Sequence, residues 1–134
     1  MPLDMYAEEL IAHYEHPSNK RKIEDATVSM NEDNISCGDV ITVYLKLNGD
    51  KIEDVSFEGS GCVISMGSAS MLVDYLKGKS LAQLEKMGYQ DLLKVINIDP
   101  GPVRMHCATL SLRAIRKAVF MKEGKGIDTD TKEM

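Results

Sequence analysis

Val40-Ile41-Thr42-Val43-Tyr44-Leu45-Lys46-Leu47-Asn48-Gly49 is the stretch whose reading decides the fold. Ile41, Val43, Leu45 and Leu47 alternate with Thr42, Tyr44 and Lys46, the period of a strand with one buried face. Asn48-Gly49 is a strong hairpin turn, because both residues tolerate positive φ. The return strand carries Ile52, Val55 and Phe57. Its three-residue step from Ile52 to Val55 breaks strict alternation and predicts a bulge. Upstream, Ala26 to Met30 reads as a third, short strand, and Asn31-Glu32-Asp33-Asn34 as a polar loop. Together these make a small antiparallel three-stranded sheet.

Helical patterns flank that sheet. Asp4 is placed to cap a helix running to Glu15, with Tyr6, Leu10 and Tyr14 as its apolar stripe and Ile11 beside them. His16-Pro17-Ser18-Asn19 stops it. Gly59-Ser60-Gly61-Cys62 ends the sheet, and the glycines let the backbone approach a bound group closely. A helix follows, with Ile64, Ala69, Leu72 and Leu76 inward and Ser65, Gly67, Ser68 and Ser70, small residues that permit close packing, on its outer turns. Ser80-Leu81-Ala82-Gln83 is a capping-box pattern that opens a short helix to Met87. A second short helix covers Gln90 to Ile96. After the break at Asp99-Pro100-Gly101-Pro102, a last helix runs from Ala108 to Met121. Leu112, Ile115 and Val119 face inward there, and Arg113, Arg116, Lys117 and Lys122 lie toward its negative end. The class is α+β, a small sheet packed against helices that include the N-terminal and C-terminal ones. Residues 1–122 read as one domain and 123–134 as a polar, disordered tail.

Composition narrows the function. The chain has 134 residues, 43% hydrophobic and 28% charged, which suits one globular core. Its 16 basic and 21 acidic residues give a net charge of −5. That balance, with no Trp, argues against nucleic acid as a partner. No apolar run approaches the roughly 20 residues of a membrane span. Nothing at the N-terminus resembles a signal peptide, so the cytoplasm is expected.

Cys37, Cys62 and Cys107 carry the chemistry. An odd cysteine count without C-x-x-C argues against a disulfide framework or a zinc ribbon. All three sit at the boundaries of expected elements, two beside Gly and one beside His. Cys62 and Cys107 each precede a predicted helix, where dipole and free N–H groups favour thiolate. Three thiolates need a fourth ligand to hold a tetrahedral metal or a cluster. Asp39, two residues from Cys37, and His106, beside Cys107, are the two candidates. A carboxylate binds soft iron more weakly than a thiolate, which suits a carrier that gives its cargo away. His13 and His16 read as helix-surface or helix-end residues.

Cys37-Gly38-Asp39 before a strand, Gly59-Ser60-Gly61-Cys62 before a small-residue helix, Leu76-Lys77-Gly78-Lys79-Ser80-Leu81, and His106-Cys107 together resemble the iron–sulfur cluster assembly scaffold family. This is the IscU type, homologous to the N-terminal domain of NifU and to SufU. His16-Pro17-Ser18-Asn19 is similar to the family's HP-x-N segment. The resemblance implies a scaffold that receives persulfide sulfur from a cysteine desulfurase, binds iron, builds a 2Fe–2S cluster and passes it to recipient apoproteins. It implies a carrier and not an enzyme. Cys37, Cys62 and Cys107 would be the thiolate ligands, and Asp39 the acidic residue that tunes lability. His106 would be the extra ligand or proton partner, and Cys107 the persulfide acceptor. Zinc would occupy the same site when iron is absent. His106 and the lack of an insertion before Cys107 place the chain nearer IscU than SufU, whose members act as zinc-dependent sulfur acceptors. A homodimer through a shared cluster stays open. Pro100-Gly101-Pro102-Val103-Arg104 stands where bacterial IscU has Leu-Pro-Pro-Val-Lys, so recognition by an Hsp70-type chaperone is not implied.

Overall fold

A computed structural model describes residues 3–34, 38–97 and 100–122. Cys37 and the tail 123–134 lie outside the described residues. The elements in order are α1 (Leu3–Glu15), β1 (Val28–Asn34), β2 (Asp39–Asn48), β3 (Lys51–Ser60), α2 (Val63–Leu76), α3 (Leu81–Glu85), α4 (Tyr89–Ile96) and α5 (Gly101–Lys122). The three strands form one antiparallel sheet in the order β1-β2-β3.

The alternation that predicts β2 places its residues as expected. Ile41, Val43 and Leu45 are fully buried, and Phe57 and Val55 of β3 join them. Each such side chain contributes about 2 kcal/mol by leaving water. Lys46 pairs with Asp54 and Leu47 with Ile52, so Glu53 is the extra residue of the expected bulge. Helices α2 and α5 cover the buried face of the sheet, and α1 lies on α2.

Four expectations are corrected. First, Asn31 to Asn34 is strand and not loop, paired with Thr42, Ile41, Val40 and Asp39 in turn. An edge strand tolerates polar residues. Here the Asn31 amide donates to Thr42 Oγ1 at 2.9 Å, and Glu32 pairs with Lys117 of α5. Second, α5 starts at Gly101, seven residues before Ala108. Pro102 falls in its first turn, where no N–H is needed and the fixed φ fits, and Gly101 enters at φ 78°. Arg104 to Cys107 are therefore helical. Of the basic residues toward its end, Arg116 is buried and its guanidinium donates to the Met87 carbonyl. Third, Ser65, Gly67, Ser68 and Ser70 are all buried and not on outer turns, while their small size does permit close packing as expected. Fourth, α1 begins at Leu3, before Asp4, and shows Ile11 and Tyr14 to solvent; of the residues expected in its stripe, Leu10 is buried. Tyr6's side chain lies outside the described residues.

α1 and α2 approach closely because Gly67 has no side chain. A Cβ there would lie 2.8 Å from the Leu10 carbonyl oxygen. The Ser80 capping box forms as expected, and α3 ends at Glu85. Among the described residues, no helix is long and apolar enough to cross a membrane.

Candidate metal centre

Asp39, Cys62 and Cys107 come from β2, the N-terminus of α2 and the second turn of α5. One ligand atom from each lies within 4.8 Å of the others. The sheet register explains the first two. Val40 pairs with Ser60 and Ile41 with Gly59, so the start of β2 runs beside the end of β3. Cys62 then follows as the N-cap of α2, with an extended backbone at φ −76° and ψ 171°.

The Asp39 carboxylate, almost fully buried, reaches across this junction. Its Oδ1 accepts the Cys62 N–H at 3.0 Å, and its Oδ2 lies 3.8 Å from the Cys62 sulfur. Gly61 makes the approach possible. A Cβ at that position would stand 2.6 Å from both Asp39 Oδ1 and Ser65 Oγ. The Cys62 sulfur accepts the Ser65 N–H at 3.4 Å, one of the free amides at the start of α2. The Ser65 hydroxyl lies 3.1 Å from the Cys62 carbonyl and 3.5 Å from its sulfur.

Cys107 is 2% exposed, whereas Cys62 is half-buried. Both are thiols and not partners in a disulfide. The expectation that Cys107 stands at a helix entrance is corrected, because six residues of α5 precede it. Of these two, Cys62 alone stands at the free amides of a helix start. His106 is exposed and is not among the gathered ligand groups. Its carbonyl accepts from the Arg113 guanidinium at 3.1 Å. His13 Nδ1 lies 2.8 Å from Ser70 Oγ, which also accepts the Ser18 N–H at 2.7 Å, so His13 ties α1 to α2. His16 is exposed just past the end of α1.

A carboxylate and two thiolates held this close repel one another unless a cation lies among them. One hard and two soft anionic donors fit zinc or iron. Sequence reasoning missed Ser65. Its spacing, three residues after the N-capping Cys62, is that of a capping box and is the signal that marks it.

The profile of the NifU-like N terminal domain matches residues 5–128. The chain belongs to the NifU-like N-terminal domain family. Among relatives, the zinc-dependent sulfurtransferase SufU of Bacillus subtilis (strain 168) is 36% identical over 90% of this chain and 92% of its own length. The iron–sulfur cluster assembly scaffold protein IscU of Escherichia coli (strain K12) is 31% identical over 85% of this chain and 91% of its own. A crystal structure described as a SUF-system scaffold from Fervidobacterium islandicum AW-1 superposes with TM-score 0.72 and 27% identity, covering 88% of this chain and 99% of that one. The NifU-like N-terminal domain of Brucella abortus shares the fold at TM-score 0.75 and 16% identity, over 92% of this chain and 97% of its own. The α+β family fold thus agrees with the sheet and helices described above.

Proposed function

We propose that this NifU-like domain is a scaffold on which a transient 2Fe–2S cluster is assembled and then handed to recipient apoproteins. The observation that carries the reading is the gathering of Asp39, Cys62 and Cys107 within 4.8 Å from three separate elements. Cys37, two residues before Asp39 in sequence, is the proposed third thiolate. His106 stands one residue from Cys107 and is kept as a proton partner or exchangeable ligand. The cluster is cargo: its iron, its sulfur and the electrons from an external donor that reduce persulfide sulfur to sulfide all arrive from outside. Sulfur comes from the persulfide of a cysteine desulfurase. An acceptor thiolate attacks the outer sulfur, a new S–S bond forms, and the desulfurase cysteine leaves as thiolate. The family resemblance assigns the acceptor role to Cys107. Exposure and the amides of α2 favour Cys62, and mapping the persulfide by mass spectrometry in each single-cysteine variant separates the two. On this reading the chain is a carrier in the cytoplasm and not a catalyst.

The test is anaerobic reconstitution with ferrous iron and sulfide. Visible sulfur-to-iron charge-transfer bands are expected from the intact protein and lost in Cys37→Ala, Cys62→Ala and Cys107→Ala. Absence of bands from the intact protein would sink the proposal.

A second reading is a zinc-dependent sulfur acceptor. The 36% identity to SufU favours it, and so does the presence of Asp39, and not His106, in the gathered set. Zinc would be held by Cys37, Asp39, Cys62 and Cys107, and when bound it stabilises thiolate at neutral pH. Stimulation of a desulfurase by the zinc form, without cluster formation, separates this reading from the first.

A further inference from the structure

We propose that Ser65 is a positioning residue for Cys62, whose hydroxyl donates a hydrogen bond to the metal-bound sulfur and so loosens that ligand. The inference rests on the reading of Asp39, Cys62 and Cys107 as a metal-holding set.

The local geometry departs from an ordinary capping box. In that motif the third helical residue supplies an acceptor for the N-cap N–H. Here the third residue of α2 is Ser65, and the Cys62 N–H is already taken by Asp39 Oδ1 at 3.0 Å. A carboxylate from the sheet does the work that a Glu would do from within the helix. The Ser65 hydroxyl is thereby released from that duty and acts as a donor. With the site empty its proton goes to the Cys62 carbonyl at 3.1 Å, and its oxygen accepts from the Cys62 thiol at 3.5 Å, a contact that can reverse only once the thiol has lost its proton. Ser65 is fully buried, so water does not compete for that proton.

The choice between acceptors depends on the charge at sulfur. A neutral thiol accepts weakly, and a carbonyl wins. A metal-bound thiolate carries formal negative charge, and charge-assisted hydrogen bonds are about twice as strong as neutral ones. Loading the site therefore draws the hydroxyl from carbonyl to sulfur, beside the Ser65 N–H already there at 3.4 Å. Two donors on one sulfur withdraw electron density from the metal–sulfur bond, and such bonds are a recognised lever on metal–thiolate sites. A hydroxyl rotation is small enough to need no movement of α2.

The experiment uses the full chain loaded with cobalt(II), whose thiolate-to-cobalt charge-transfer absorption reports electron density on sulfur. Ser65→Ala is expected to move that band to longer wavelength and to slow release of the metal to a chelator about fivefold, the scale of one hydrogen bond. Ser65→Gly removes the same hydroxyl and gives the same readout should the alanine variant fold poorly. A band unchanged or moved to shorter wavelength in the hydroxyl-free variant, or release that is no slower, overturns the role of Ser65 and leaves the metal site standing. Absence of any charge-transfer band in the intact protein overturns the metal site and this inference with it.

Discussion

On the proposed reading, Asp39 has two duties that pull in opposite directions. As a donor beside two thiols it is the hard member of a soft set, and the weaker partner for iron. As a hydrogen-bond acceptor it ties the Cys62 N–H to the sheet at 3.0 Å. Gly61 serves both duties, because any side chain there would meet the carboxylate and the Ser65 hydroxyl. The two duties separate in Asp39→Ala. Removing the carboxylate leaves a part-buried N–H without its acceptor, which costs about 1 kcal/mol of stability. Removing the labile donor leaves the thiolates to hold the cargo. The expected outcome is a lower melting temperature together with slower decay of the visible cluster bands. Decay faster than in the intact protein would show instead that Asp39 retains the cargo.

The close crossing of α1 over α2 depends on Gly67. In Gly67→Ala the new Cβ would stand 2.8 Å from the Leu10 carbonyl oxygen and 2.9 Å from its Cδ1. Backbone cannot rotate aside as a side-chain tip can, so α1 must lift. The net cost is expected at about 1–3 kcal/mol. Amide exchange should accelerate over α1 and stay slow over β2 and α5; unchanged exchange in α1 would show that its docking does not rest on this contact. The same elements show what a sequence can carry. Alternation from Ile41 to Leu45 and the step from Ile52 to Val55 report faces and a bulge directly, because side-chain period is the cause of burial. The start of α5 was not legible, since Pro102 breaks a helix anywhere except its first turn. The close packing that the small residues of α2 permit was legible, but their burial was not, because nothing in spacing alone shows their hydrogen-bond partners. Ser70 is bonded to His13 and Ser18, and Ser65 to Cys62. Cys62 and Asp39 could be named from spacing and local chemistry. Cys107 could be named too, but the helix-entrance position expected for it belongs to Cys62 alone of the two.

Across the whole molecule, charge and metal act on different parts of the stability. Asp54 of β3 meets Arg21, on the link after α1, at 2.8 Å and Lys77, at the end of α2, at 3.3 Å. Burial alone would raise its pKa, but the two cations outweigh that and hold the carboxyl below its ordinary 3.8. A lowered folded pKa means stability present above 3.8 and lost as pH falls through the lower folded value. The group is partly exposed, so the amount is at most about 1 kcal/mol. Asp54→Asn should be slightly less stable at neutral pH and show a flatter loss of urea midpoint under acid; parallel curves would remove Asp54 from the acid response. The candidate metal centre stands apart from this ion network, although Cys107 is itself buried. Ile41, Val43, Leu45, Phe57, Leu72, Leu112 and Ile115 are buried apolar side chains and none is a metal donor. A core of this size predicts a fold that stands without metal, unlike a small domain whose binding energy is its folding energy. Chelated protein should keep its helical and strand circular dichroism and melt in one cooperative step. Zinc at a hundred times its dissociation constant should add about 2.7 kcal/mol, a rise of roughly 10 °C in melting temperature for a chain of this size. Unfolding on chelation would make the site a structural staple and would remove the ground for regarding its cargo as something to be given away.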